Sequence, residues 1–221
     1  MSLFACIPTL NNYKGLIDMI QSAEKGDVKF DRFIIMDNGG YFSYYDPKVT
    51  VIRPGKNLGC AGSWNWFIQN VPEKRIIMND DILFGTESLR MFEDNLIDNW
   101  FCYPESNSGL NSFSFFYLPN SIISKVGLFD EEFYPAYFED NDYHYRMQLA
   151  GDGELHALPC QGLIHKGSQT LKNFTPRETT EHHKNFQKNH IRFLQKWGGE
   201  PAHEIFKEPF NNANTGKIQP V

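Results

Sequence analysis

Four short apolar runs within the first 84 residues constrain the fold more than any other feature of the chain. They are "LFACIPT", "FDRFIIMDNGG", "VTVIRPG" and "RIIMNDDILF", and each is closed by polar, proline or glycine residues. Continuous apolar runs, as opposed to alternating ones, mark strands covered on both faces. Between the first two, Leu16, Ile17, Ile20 and Ala23 recur at helical spacing until Gly26. Between the last two, "GSWNWFIQNV" reads as a helix ended near Pro72. Strand, helix, strand, strand, helix, strand predicts an α/β fold, a Rossmann-like, mostly parallel central sheet flanked by helices. Such sheets bind ligands beyond the carboxyl ends of their strands. Thr9 and Asn11, Asp37 and Asn38, and Asn79 to Asp81 all fall at those ends, which points to a nucleotide-type ligand.

The second half is less regular. It holds an aromatic strand in "SFSFFYLPN", a short helix around Ser121–Val126, and an acidic cluster that leads into another helix. "TPRE" reads as a capping box with proline at the first helical position. Phe186, His190, Phe193, Leu194 and Trp197 then line one face of the helix it opens, and Gly198 and Gly199 close it. The expectation is a single domain over 1–208 and a polar, flexible tail over 209–221. A chain of 221 residues suits one sizeable core.

Composition narrows the function classes. A net charge of −6 gives no electrostatic footprint for non-specific nucleic-acid binding. The four cysteines are far apart and form no CxxC pair, which predicts reduced thiols in a cytoplasmic protein. The N-terminus lacks a basic region and a long apolar run, so no signal peptide is expected, and no apolar stretch is long enough to cross a bilayer.

Several constellations carry chemistry. Asn79-Asp80-Asp81 lies in what reads as a buried strand, where Asn79 and Asp81 would face one way and Asp80 the other. An unpaired buried carboxylate is costly, so the triplet is either a solvated turn or a site for Mg²⁺ or Mn²⁺ bridging a diphosphate. Glu139, Asp140 and Asp142 crowd three carboxylates into four residues. Crowding raises proton affinity and suits a general base, although acids also decorate ordinary helix starts. Arg146 is placed to hold them by a salt bridge. His165 in "GLIHKGSQT" is a structural histidine unless it falls near Asp81. "RPGKNLGCAGSWNWFI" offers Arg53, Lys56 and Asn57 ahead of a glycine-rich helix start, a place to meet phosphates. It matches neither the Walker nor the GxGxxG pattern.

Taken in order, "IPTLNN", "IIMDNGG", "NLGCAGSWNWFI", "MNDDI", "VGLFDEEFYPAYFEDNDYHYRM", "IHKGS" and "NHIRFLQKWGG" resemble the family 2 glycosyltransferases of GT-A fold, in particular their rhamnosyltransferase-like branch. The resemblance spans residues 3 to 200. It implies a nucleotide-sugar-binding half over about 1–100 and an acceptor half over 101–208. It also implies that Pro8, Thr9, Asn11, Asp37 and Asn38 meet the nucleoside, and that Asn57 and Gly59–Gly62 lie beside it. "NDD" stands in place of the DXD-like motif, with Asp81 as metal ligand and Asp80 nearer the ribose or sugar. Asn79 occupies a position that is an aspartate in the pattern, one charge fewer. Glu139 and Asp140 match the acidic pair that supplies the base, with Asp140 the favoured residue, and His165 matches a histidine that completes the metal or diphosphate site.

The implied reaction is an inverting transfer from a nucleotide-diphosphate sugar to an acceptor hydroxyl, a glycan in preference to a nucleic acid, assisted by Mn²⁺ or Mg²⁺. Three other readings share these residues. One is a transferase acting on modified bases of viral DNA. Another is a nucleotide-sugar-binding module without turnover, which Asn79 keeps open. The third is a nucleotidyltransferase, for which "IPTLNNYKG" is a poor signature loop.

Overall fold

The computed structural model describes residues 2–26, 28–72, 74–105 and 111–212. In chain order they form β1 (Phe4–Thr9), α1 (Tyr13–Ala23), β2 (Arg32–Asp37), β3 (Val49–Ile52), α2 (Gly59–Asn70) and β4 (Arg75–Met78). There follow β5 (Ile82–Leu83), α3 (Ser88–Asp94), β6 (Phe101–Glu105), β7 (Phe115–Tyr117), α4 (Asn120–Val126) and α5 (Glu139–Leu149). The last elements are β8 (Leu155–Pro159), β9 (Ile164–His165), α6 (Gln169–Lys172), α7 (Pro176–Trp197) and a 3₁₀ turn at Pro209–Asn211. The expected tail thus begins with this turn, and its residues 213–221 lie outside the described part.

Among the described residues the main sheet has seven strands in the order β3-β2-β1-β4-β7-β6-β8, and a two-stranded sheet joins β5 to β9. Only β7 runs against its neighbours in the main sheet. The register pairs Phe4 with Arg32 and Thr9 with Asp37, so β1 and β2 end level with each other. Alternate strand residues feed different cores, as period-2 geometry requires. Ala5, Ile7, Phe33 and Ile35 pack with Leu16, Met19 and Ile20 of α1. Cys6, Ile34, Met36 and Ile77 pack with Trp64 and Phe67 of α2 and with Tyr143 and Met147 of α5. Both faces are therefore covered, which is why the runs carry no polar alternation. No helix among the described residues is long and apolar enough to cross a membrane.

"RIIMNDDILF" is not one strand. β4 stops at Met78, residues 79–81 turn, and Ile82–Leu83 pair antiparallel with Ile164–His165. Asn and Asp favour such turns because their side chains compete for backbone hydrogen bonds. The turn is held by the Asn79 N–H to Ser114 O (2.8 Å) and the Lys166 N–H to Asp81 O (3.1 Å).

α7 begins with the expected capping box, in which Thr175 Oγ1 accepts the Glu178 N–H and the Glu178 carboxylate accepts the Thr175 N–H. Its first half is largely exposed, while Phe193 and Trp197 bury against Phe133, Phe138 and Tyr145. Asp142 fastens this junction. Its carboxylate is fully buried and accepts from Trp197 Nε1 (2.9 Å) and Arg146 Nε (2.9 Å), with Lys196 Nζ at 2.6 Å. Lys196 and Arg192 also reach Asp130 (2.7 and 3.1 Å). Removing one member of a buried ion network strands the others without partners. Asp142→Ala is expected to destabilise the protein by about 3–5 kcal/mol in urea unfolding. An unchanged midpoint and slope would remove Asp142 from the structural framework.

Candidate active site

The carboxyl ends of β1 and β4 and the turn after β4 make the floor of a cleft of about 390 Å³. Extending the β1–β4 register past Cys6–Ile77 brings Thr9 alongside Asp80. Thr9 Oγ1 donates to Asp80 Oδ2 (2.6 Å), and Asn12 Nδ2 donates to both Asp80 Oδ1 and its backbone oxygen (3.1 Å each). Burial pushes the Asp80 carboxyl up to about 6; the bonds from Thr9 and Asn12 oppose that shift, and the Asp81 charge adds to it. Asp81 faces the other way, and its Oδ1 lies 3.1 Å from His165 Nε2. That Oδ1 is buried and makes no hydrogen bond. Asn79 Nδ2 approaches the same His165 nitrogen at 3.4 Å. The β5–β9 pairing, which sets Ile82 opposite His165, is what carries the histidine to the acids.

Another wall comes from α2 and residues 135–140. Gly59 has φ +71°, and a Cβ there would sit 2.6 Å from Pro135 O, so only glycine lets the start of α2 approach this segment. The Cys60 N–H closes the contact on Pro135 O (2.8 Å). Asn65 clamps the same loop from further along α2, with Nδ2 donating to Phe129 O (3.0 Å) and Oδ1 accepting the Phe129 N–H (2.8 Å). Tyr137 and Phe138 then take left-handed backbone angles (φ 77° and 72°). Such angles are strained for bulky residues and collect at functional sites. α5 follows at once, so Glu139 and Asp140 enter the cleft from its first turn.

Glu139 is buried, with Oε2 unpartnered. Burial first, and the Asp140 charge second, push its carboxyl well above the usual range. Burial likewise raises Asp140, while the Asn141 N–H on its Oδ1 (2.8 Å) opposes the shift. The Cys60 thiol is raised by burial and by the surrounding carboxylates, which suits an unreactive wall residue.

Of the sequence-predicted residues, Pro8, Thr9, Asn38 and Asn57 line this one cleft, with Asn79, Asp80, Asp81, Glu139, Asp140 and His165. Four others do not. Asp37 is buried under the following loop, accepting from the Gly40 and Phe42 N–H groups (2.9 and 2.8 Å) and from Tyr13 OH (3.1 Å). Gly62 is packed inside α2 near Leu58 and Glu131. Asn11 lies in a neighbouring groove with Lys14, Asp18 and Lys166. Asp142 is grouped with Glu139 and Asp140 by sequence, but it sits 200° around the helix from Asp140 at 100° per residue. It serves the α5–α7 network instead. Asn12 stands at the N-cap position of α1 and was not among the residues expected at the site. Its side chain makes no cap bond, and its amide is committed to Asp80. Tyr137, Phe174 and His182 also line the cleft without a sequence signal beyond their aromatic character.

Among the described residues no group of three or more His, Cys, Asp and Glu side chains converges on one point. The Asp81–His165 pair is nonetheless a fitting half-site for Mg²⁺ or Mn²⁺. It has one orphaned buried carboxylate oxygen beside an imidazole nitrogen, and such ions commonly take their remaining ligands from substrate phosphates and water.

The Asp80 shift has a signed consequence. A carboxyl raised from 3.8 to about 6 binds its proton more tightly in the folded state. Stability is therefore lost as pH rises through the window between those values. About two units correspond to about 3 kcal/mol. In metal-free protein, wild type is expected to lose about 3 kcal/mol relative to Asp80→Asn between pH 4 and 7. Parallel stability curves from urea melts would refute the raised value.

No family model matches the chain, and no curated protein matches it in sequence. Solved structures do match in fold. A mannosyltransferase from Pyrobaculum calidifontis, in complex with GDP-Man and Mn²⁺, superposes with a TM-score of 0.61 at 10% identity, over 90% of this chain. This chain spans 66% of that one, about two thirds of its length. The 1–349 piece of S. aureus TarS gives a TM-score of 0.53 at 12% identity, covering 88% of this chain and 73% of that one. Its complex with UDP-GlcNAc gives 0.52 at 12% identity, covering 92% and 69%. At such identities the likeness speaks for architecture: the chain has the GT-A-like α/β fold of these glycosyltransferases.

Proposed function

We propose that the protein is a divalent-cation-dependent, inverting glycosyltransferase. It moves a hexosyl or pentosyl unit from a nucleotide-diphosphate sugar to an acceptor hydroxyl. The carrying observation is a single cleft lined by Asp80–Asp81, His165 and Glu139–Asp140, which come from three separate stretches of chain. The complexes of the fold neighbours with GDP-Man and Mn²⁺ and with UDP-GlcNAc support the same reading. The order of motifs supports family 2 and its rhamnosyltransferase-like branch. In this reading residues 1–100 form the donor half, and 101–208 the acceptor half, of one domain.

Thr9 and Asn57 supply polar groups beside the nucleoside, while Asn38, whose amide bonds Ser63 Oγ and the Leu58 N–H, shapes the wall there. The start of α2 at Gly59 and Cys60 lines the cleft; its first N–H groups are bonded to Asn57 Oδ1 and Pro135 O, so it would favour the diphosphate through the helix dipole alone. Asp37 is left out of the contact set, since its oxygens are spent on the loop above it. Asp81 and His165 would hold the Mg²⁺ or Mn²⁺ ion, whose chemistry there is to offset the charge growing on the departing diphosphate. Asp140 takes the proton from the acceptor oxygen as that oxygen attacks the anomeric carbon from the face opposite the leaving group, which inverts the centre. Its raised proton affinity brings it nearer to a base for neutral pH. Glu139, more deeply buried, stays behind it.

Release of UDP or GDP from a panel of nucleotide sugars, read with thermal shifts with and without Mn²⁺, tests this. Asp140→Asn is expected to lower turnover by about 10²–10⁴ while the nucleotide shift persists. Asp81→Ala is expected to erase the Mn²⁺-dependent part of the shift. A donor at a hundred times its Kd stabilises by about 2.7 kcal/mol. Full activity in Asp140→Asn rejects the base. A nucleotide shift without turnover in wild type leaves a binding module. No shift with any nucleotide rejects the function.

A further inference from the structure

The acceptor end of the cleft carries a charge pattern and an aromatic wall that together narrow the second substrate. Among the described residues lining the cleft, none is lysine or arginine, and four are carboxylates: Asp80, Asp81, Glu139 and Asp140. Lys166, next to His165 in sequence, turns away toward Asp18 (3.7 Å). Arg53 is drawn to Asp37 (3.6 Å) and the Phe42 carbonyl (2.5 Å). His182 adds no cation at neutral pH, because burial and His183 push its pKa below the usual value. Nucleic-acid binding relies on basic side chains that neutralise phosphates, and this wall offers none.

What it offers is rings. Tyr137 and Phe174 both meet His182 edge-to-face, with centroids at 5.2 and 5.9 Å, and Tyr137 OH lies 3.5 Å from His182 Nε2. Tyr137 precedes Glu139 by two residues, and it lines the same cleft as Glu139 and Asp140. Aromatic faces carry negative charge density and attract the polarised C–H groups of a sugar ring. They do so without a counter-charge.

Resting on the glycosyltransferase reading, we propose that Tyr137, Phe174 and His182 form the acceptor subsite and that it takes an uncharged sugar ring, not a nucleic acid or a phosphorylated acceptor. A cleft lined by carboxyl groups with no lysine or arginine gives an acceptor phosphate nothing to bind near the base, and the donor diphosphate enters only in company with its cation.

Saturation-transfer NMR with Mg²⁺ and UDP or GDP tests the assignment. The probes are neutral methyl and p-nitrophenyl hexosides, glucose 6-phosphate and a short oligothymidylate. Transfer into the ring C–H protons of a neutral glycoside is expected, with none into the two phosphate-bearing probes. Phe174→Ala is expected to weaken glycoside binding about three- to tenfold, and Tyr137→Phe, which keeps its ring, to preserve it. Preference for a phosphate-bearing probe, indifference to Phe174→Ala, or no glycoside binding at all would overturn the proposal. The nucleotide thermal shift on the same samples separates the two readings. Its loss in wild type counts against the transferase itself, whereas its presence with failed glycoside binding counts against the acceptor subsite alone.

Discussion

The carboxylate of Asp142, sealed from solvent and met by Trp197, Lys196 and Arg146, sets the direction of α5, and with it that of Asp140 and Glu139, two and three residues earlier. Because Asp140 lies on the opposite side of that helix, anchoring Asp142 to α7 turns Asp140 toward the strand ends. Lys196 extends the same network to Asp130, and Asn65 of α2 clamps the loop just before it, at Phe129. α2, α5 and α7 are thus tied to one segment, residues 129–138. That segment ends in two left-handed residues, Tyr137 and Phe138, whose strain is offset by the packing of Phe133 and Phe138 on Phe193.

The cleft itself is electrostatically unbalanced. Asp80 is quieted by Thr9 and Asn12, but Asp81 Oδ1 and Glu139 Oε2 have no hydrogen bond at all. Buried oxygens left in this condition lower the stability of the empty protein. In the proposed reading they would give a cation and a polyhydroxylated substrate something to satisfy. Local instability and binding chemistry have the same source here, and the surrounding cores, two of them on the faces of the sheet, supply the stability that tolerates it.

The sheet, its order of helices and the strand-end edge that carries the cleft were legible because buried strands and amphipathic helices write their periods into a short window of residues. The cap at Thr175 and the stop at Gly198 were legible for the same reason, being local. Individual side chains at the edge were less so. Asp37 and Asn38 are neighbours in sequence, yet Asp37 points under its loop and Asn38 toward the start of α2, where it bonds Ser63 Oγ and the Leu58 N–H at the cleft wall, through the period-2 alternation at the end of β2. Asn12 drew no notice because nothing nearby in sequence announces that Asp80 lies within its reach. The break after Met78 was hidden by the apolar residues on both sides of it, which belong to two different sheets.

By itself the sequence determined which residue types were available and roughly where along the chain they would stand: an amide and two acids within an apolar run, three acids at a helix start, a histidine after an apolar pair. Local periodicity and turn chemistry suffice for that. Only the tertiary structure decided the partnerships. His165 became a neighbour of Asp81 through the β5–β9 pairing, and Asp142 was separated from Asp140 by the turn of one helix and a buried network reaching α7. Both outcomes depend on contacts between residues far apart in the chain, whose free energy is not written in any window that contains only one of the partners.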